Sequence, residues 1–399
     1  MTRTAYLVRH AAINANDFDY EEYLEPFIEK LGNKTVNWST IPELSFLSTW
    51  KAPALAEQEV LTRAGKLEAA QLGVSISFRY PNLRIPQRVW ASTAERTVKS
   101  AQSLIRGLET EDDTVNLVQV YEGDEAGANS LTPYSSCPAY SSSAGSKQSG
   151  QYVHKYTTAI IARLNAYAPA FNFTSDDIFA MQEMCGYDTV IRGASPFCSL
   201  DLFKPDEWLA FEYANDIMYH YNTGYGSKVS GVIGFPWLNT TLSLLTSDQA
   251  EQDMYISFTH RELPPTVLVA MGLFNNSEFS GTINVNATMP LNQINYHRAW
   301  VSSYILPFLT NIAIERMNCS SPGFSNGTYY RVLVNQSPQT LPTCFDGPAE
   351  SCSASGIQEF LGERQAMFEG YSEKCEVDYK NSTDTVAFYS SADNDTTVG

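Results

Sequence analysis

Residues 5–17 read AYLVRHAAINAND: an apolar run that delivers an arginine and a histidine, Arg9 and His10, to the turn that follows it. The arrangement recurs far along the chain, where DMYISFTH (253–260) ends on His260, with Arg261 beside it and Glu262 one place further. A third arginine, Arg96, closes the segment ASTAER at the end of the strand-like residues 88–91. Arginine presents a planar fork of donors suited to bidentate capture of phosphate or carboxylate, and histidine changes charge within the physiological pH range. In an open parallel sheet, ligands bind outside the carboxyl ends of the strands. Two histidines and three arginines at matching strand ends therefore predict one oxyanion pocket.

The elements that must hold these residues are legible in outline. Helical spacing runs over 19–32 and closes on Gly32, and 61–80 reads as an amphipathic helix with Thr62 as N-cap. Residues 88–91 read as a strand turning into a helix, which puts 92–96 in an opening turn that favours anions. A Ser/Gly/Tyr-rich run at 130–152 reads as loop or linker, followed by helical patterns at 156–169, 174–191 and 204–226. Strand character returns at 253–260, then a breaker pair, Pro264 and Pro265, and an apolar helix over 266–274. The tail alternates strands such as 329–335 with turns and one helix at 356–370. The expected fold is α/β, a mixed sheet flanked by helices, with a smaller and mostly helical inserted domain. Residues 1–125 and 250–399 would form the catalytic α/β domain and 126–249 the insertion.

Composition narrows the function classes. The 399 residues are 43% hydrophobic and 12% aromatic, enough for a large core, and carry a formal charge of −18. Such a surface repels nucleic-acid phosphates and anionic lipid, so neither is an expected partner, and an anion site must be a local basic pocket. No apolar run reaches the roughly 18 to 20 residues that span a bilayer. Of seven cysteines, Cys185 and Cys198 bracket one short loop and Cys344 and Cys352 another, without the Cys/His clustering of a metal site. Asn33, Asn37, Asn172, Asn239, Asn275, Asn286, Asn318, Asn326, Asn335, Asn381 and Asn394 each precede x-Ser/Thr. That density suggests a glycosylated, secreted protein, and the lack of a signal peptide at the start then suggests a trimmed N-terminus.

Taken together, these segments resemble the fungal histidine acid phosphatases of the phytase type, in the two-histidine branch of the histidine phosphatase superfamily. LVRH resembles the opening of the family's R-H-G-x-R-x-P, LTRAGKLEAAQLG its L-T-x-x-G-x-x-Q-x-x-x-L-G, ASTAER its S-x-x-x-R, and FTHRE its F-x-H-D segment. SPFCSLDLFKPDEWLAFEY, YNTGYGS and RVLVN extend the resemblance along nearly the whole chain. It implies a phosphoglycerate-mutase-like large domain and disulfides Cys185–Cys198, Cys344–Cys352 and Cys137–Cys375, with the partner of Cys319 upstream of Met1. It also implies that His10 attacks phosphorus to form a phosphohistidine while Arg9, Arg96 and His260 hold the phosphate oxygens, with no metal and no cofactor.

Three positions depart from the family pattern. Ala11 stands for the glycine after the nucleophile, Ile13 for a second arginine, and Arg261 for the aspartate after the second histidine. Losing one transition-state donor typically costs about 10²- to 10³-fold in rate. In the related inositol polyphosphate phosphatases the motif reads H-A-E, with the glutamate as proton donor. His260-Arg261-Glu262 matches that spacing, so Glu262 is the candidate acid, Arg261 could restore the lost charge if turned inward, and its guanidinium should lower the Glu262 pKa and give an acidic optimum. The expected activity is hydrolysis of a small organic phosphomonoester. The alternatives are acid/base chemistry on a partly apolar organic substrate, with Ala11 and Ile13 shaping the pocket, and a catalytically inactive binding glycoprotein. His154, His220, His297 and the Tyr-rich stretch 211–225 read as structural.

Overall fold

The structure, a computed structural model, describes residues 1–34, 36–108, 115–248, 250–276, 289–380 and 382–390. Strands β1 (Arg3–Arg9), β2 (Arg88–Ser92), β3 (Asn116–Val120), β4 (Met254–Thr259), β5 (Asn311–Cys319), β6 (Gly327–Val334), β7 (Ser337–Gln339) and β8 (Cys352–Ser353) form one sheet. Its order is β3-β2-β4-β1-β5-β6-β7, with β8 pairing to β6. The first four strands in that order are parallel and the rest antiparallel. Every residue of β4 and the middle five of β1 are buried, as expected of strands covered on both faces.

The helices are α1 (Asp17–Asp19), α2 (Glu25–Asn33), α3 (Arg63–Arg79), α4 (Glu95–Leu108), α5 (Ser146–Tyr167), α6 (Ser175–Arg192), α7 (Pro205–Asn222), α8 (Ser230–Thr246), α9 (Leu263–Met271), α10 (Ser302–Ile305), α11 (Ala354–Phe368) and α12 (Tyr371–Lys374). Side chains alternate across a strand, and the two faces of β1 bury different cores. Tyr6 and Val8 pack with Ile76, Ala101 and Leu104 of α3 and α4. Ala5 and Leu7 share the opposite core with Ile233, Leu238, Val267 and Ile357 of α8, α9 and α11. A third core joins Tyr20, Leu24 and Phe27 to Ile160, Met181 and Phe197 of the helical layer.

The mixed sheet flanked by helices is as expected, and the local differences have physical reasons. Residues 146–152 open α5 rather than extend the loop, because tertiary packing buries Ser149 and Tyr152. Pro264 and Pro265 lie inside the first turn of α9, where backbone N–H groups have no intrahelical partner and proline costs nothing. The stretch 19–32 is interrupted by a π-helical turn, Tyr20–Leu24. Within the 126–249 span, α8 packs on the sheet rather than with the helical layer, whereas Tyr20, Leu24 and Phe27, from the first span, pack with α6. Disulfides link Cys137 to Cys375, Cys185 to Cys198 and Cys344 to Cys352, as the family resemblance implied, and Cys319 is unpaired. Among the sequon asparagines, Asn33, Asn37, Asn172, Asn275, Asn318 and Asn326 are exposed and Asn239 and Asn335 half-buried. Asn286, Asn381 and Asn394 lie outside the described residues.

One buried ion pair ties the helical layer to the site. Asp216 of α7 accepts from Arg298 Nε at 2.5 Å and from the Ser302 N–H and hydroxyl at 2.5 and 2.7 Å, and Arg298 also reaches Glu212 at 2.7 Å. The segment so anchored runs on to Leu306 and Phe308, which border Arg9 and His10. Removing one partner of such a pair leaves the other charge buried and uncompensated. Asp216→Ala is expected to cost about 3 kcal/mol or more in urea unfolding, and a change below about 1 kcal/mol would contradict this account.

Candidate active site

Parallel pairing of β1 and β4 sets Arg9 opposite Thr259, so the two histidines emerge side by side at the carboxyl edge. The His10 N–H donates to the Thr259 carbonyl at 2.9 Å, and the two imidazole centroids are 5.7 Å apart. His10 is 3% exposed, with Phe308 as its other aromatic neighbour at 5.9 Å. Its Nδ1 lies 2.9 Å from the Ala11 carbonyl. A carbonyl can only accept, so Nδ1 carries the proton and Nε2 keeps its lone pair. Burial, reinforced by Arg9 and His260, holds the His10 pKa well below the usual histidine value, which keeps the ring neutral in mild acid.

The turn after His10 is pinned from both sides. Ala11 donates its N–H to Ser100 Oγ at 2.9 Å, and Ala12 accepts from the Thr62 N–H and hydroxyl at 2.9 and 3.1 Å. Thr62 in turn caps α3 through the Gly65 N–H, as expected of an N-cap. A Cβ at Gly65 would stand 2.3 Å from the Ala12 carbonyl oxygen, so only glycine lets α3 seat against this turn. Ala11 is fully buried, with its methyl in a small core with Ile13, Leu61 and Ala69. Ile13 packs there too, in a backbone bridge to Leu61, and also borders the cavity.

Arg96 and His260 are held by carboxylates that no sequence motif announced. Arg96, in the first turn of α4, donates Nε–H to His260 Nδ1 at 3.2 Å and Nη1–H to Glu59 at 2.7 Å. Because guanidinium cannot accept, His260 carries its proton on Nε2, which faces Ser92 Oγ at 3.3 Å and Glu122 at 3.5 Å. Glu122 also accepts the Ala94 N–H at 2.8 Å. Burial pushes its pKa up, but hydrogen bonds from His260, Ala94 and Ser92 outweigh that and bring it to about 2. Glu59 has a left-handed backbone, φ 59°, unusual for a residue with a Cβ. Arg9 donates Nη1–H to the Leu306 carbonyl and lies 4.4 Å over the Phe308 ring, while its buried Nε–H has no partner among the described residues.

Arg261 turns toward the cavity and donates Nε–H to Glu262 at 2.9 Å, so the pair forms part of the site wall. Burial would raise the Glu262 pKa, yet Arg261 and His260 prevail and hold it below the usual carboxylate range. All seven residues singled out in the sequence, Arg9, His10, Ile13, Arg96, His260, Arg261 and Glu262, border one cavity of about 490 Å³. The helical layer adds Asp19 and Glu183, which lie in no recognisable motif. Burial and the Asp19 charge, opposed by Arg261, push Glu183 up to about 8. No cluster of three or more His, Cys, Asp or Glu side chains among the described residues has a metal-holding arrangement. His220 is buried beside Trp300, with burial lowering its pKa to about 4, and His154 bonds Ser175 at 3.0 Å. Of the tyrosines in 211–225, Tyr213 is core, whereas Tyr219 borders the cavity.

Residues 5–335 match the family described as "Histidine phosphatase superfamily (branch 2)". Similar proteins include the acid phosphatase PHO1 of Komagataella pastoris, 29% identical over 373 residues covering 89% of this chain and 76% of that one. Another is the thiamine-repressible acid phosphatase pho4 of Schizosaccharomyces pombe, 30% identical over 367 residues, or 86% and 76% of the two chains. The crystal structure of the phytase from D. castellii superposes with a TM-score of 0.84 at 25% identity, covering 98% of this chain and 84% of that one. The Bifidobacterium longum multiple inositol polyphosphate phosphatase shares the fold at a TM-score of 0.63 and 12% identity, covering 90% and 92%. With one family matched across most of its length and the paired histidines at the carboxyl edge of its sheet, the chain belongs to branch 2 of the histidine phosphatase superfamily.

Proposed function

We propose that this protein hydrolyses phosphomonoesters through a phosphohistidine on His10. The observation that carries the reading is the buried, neutral His10, whose Nδ1–H is tied to the Ala11 carbonyl so that the Nε2 lone pair is the reactive one. The acid phosphatase and phytase names of similar proteins support the same chemistry. In the first step Nε2 forms a bond to phosphorus as the ester oxygen leaves, and Glu262 gives that oxygen a proton. Arg9 and Arg96 offset the charge on the phosphate oxygens, with Arg96 exchanging Glu59 for phosphate. In the second step water attacks phosphorus, Glu262 takes its proton, and the bond to Nε2 breaks to restore His10. Ile13 contributes no donor, so the cradle works with fewer hydrogen bonds than the family pattern supplies.

A small substrate fits better than a polyphosphate. Asp17, Asp19 and Glu59 border the same cavity and would repel additional phosphates. Both pKa directions favour acid conditions. The lowered His10 pKa extends the unprotonated, nucleophilic form to more acid pH than an ordinary histidine allows, and the lowered Glu262 pKa confines its proton-donating form to acid.

Phosphate release from p-nitrophenyl phosphate is expected across about pH 3 to 7, falling at the alkaline end, and His10→Ala should abolish it. Equal release from both proteins, or none from either, overturns the phosphohistidine reading. Arg261→Gln removes the charge that depresses Glu262 and should move the alkaline limb to higher pH. An unmoved limb, or a profile centred on neutrality, would assign the donor elsewhere, with Glu183 the first alternative. Glu262→Gln should slow an alkyl phosphate about 10²- to 10⁴-fold and p-nitrophenyl phosphate far less, since nitrophenolate leaves without a proton. Equal losses on both esters would remove Glu262 from the donor role.

A further inference from the structure

The cavity has a second lobe, of about 260 Å³, that opens into the helical layer between α1, α5, α6 and α7. Asp19, Glu183, Tyr219, Arg261 and Glu262 border both lobes, so the two are continuous. The walls of the second are aromatic. Tyr23 and Phe179 stand 4.8 Å apart at 53°, Tyr219 contributes another ring, and Tyr140 is oriented by donating its hydroxyl to Asn222 at 2.9 Å. The serine-rich segment that reads as a linker supplies Ser142, Ser146 and Ser149 to the same wall.

The charges along this lobe have the opposite sign to those at His10. Asp19 and Asp176 line it, while Arg261 and Glu262 are paired and offset each other. Asp19 is kept in place by the Tyr187 hydroxyl at 2.5 Å and by Asn16 at 2.8 Å. Glu183, whose pKa burial and the Asp19 charge push up to about 8, keeps its proton in acid, so the negative groups that face this lobe are Asp19 and Asp176. A cavity with arginines at one end and carboxylates among aromatic rings at the other matches a molecule with phosphate at one end and a cation at the other. Aromatic faces attract ammonium groups, most strongly where water is excluded. A neutral alcohol gains neither interaction, and an added phosphate meets repulsion.

We propose that the second lobe is the leaving-group site and that it selects phosphomonoesters whose alcohol carries an organic cation, held by Asp19 and Asp176 and by the faces of the surrounding rings. The proposal rests on the phosphatase reading of His10, and its test separates the two. The probes are phosphocholine and 3,3-dimethylbutyl phosphate, an ester of the same shape with carbon in place of the charged nitrogen. The unmodified protein should prefer phosphocholine by about tenfold in kcat/KM. Asp176→Asn and Asp19→Asn should each bring the ratio toward one. Equal kcat/KM for the two esters in the unmodified protein overturns cation selection, and a preference that survives both substitutions overturns its assignment to these acids.

A second arm is independent of turnover: calorimetric titration with choline chloride, using 3,3-dimethylbutanol as control. Choline should bind, the alcohol should bind more weakly, and Asp19→Asn should remove the difference. Choline binding that depends on Asp19, in a protein that releases no phosphate from any ester, would uphold the cation site and sink the phosphatase reading. Absence of choline binding, in a protein that cleaves both esters equally well, would do the reverse.

Discussion

The site depends on the register of one parallel strand pair. β1 and β4 are brought together from distant parts of the chain, and the hydrogen bond from the His10 N–H to the Thr259 carbonyl closes their ladder where the strands stop. A slip of one residue would turn every side chain of β1 to the other face of the sheet and exchange the two cores that now hold Tyr6 and Leu7. Burial on both faces therefore sets the register, and the register brings the imidazoles to 5.7 Å. The same edge receives β2, which delivers Ser92 and the opening turn of α4 with Arg96.

Around that edge the charges are arranged in partnerships. A buried or half-buried charge is costly unless hydrogen-bonded, and each arginine near His10 is engaged: Arg9 with a carbonyl and a ring face, Arg96 with Glu59, and Arg261 with Glu262. Glu122 steadies both His260 and the α4 turn, so one carboxylate links β2, β4 and the first turn of α4. At Arg96 and Arg261 the cost of assembling positive charge without a ligand is thus met by neighbouring carboxylates, and on the proposed mechanism an arriving phosphate would take the place of Glu59. The strained φ of Glu59 is consistent with a residue held where the site needs it.

The departures at Ala11 and Ile13 look different in three dimensions than in the sequence. Ala11 spends its methyl on packing with Leu61 and Ala69, and Ile13 joins it there, so the turn is tightened by apolar contacts where the family pattern has glycine and arginine. The approach of α3 to this turn, close enough to require Gly65, is the same constraint seen from the helix side.

The sequence by itself determined the strands that carry Arg9, His10 and His260, the N-cap at Thr62 and the helical opening at Arg96, because each is written in local periodicity and in residue types with strong positional preferences. It also named seven of the residues that border the cavity, since motif spacing records which strand ends must meet. Only the tertiary structure decided the rest. Glu59, Glu122, Asp19 and Glu183 sit in unrelated elements and become neighbours through packing over long sequence separations, which no local pattern encodes. The helix at 146–152 and the placement of α8 on the sheet follow from burial against distant residues, and so do the direction of Arg261 and the raised pKa of Glu183. Proximity across the fold sets these, and proximity exists only once the chain has folded.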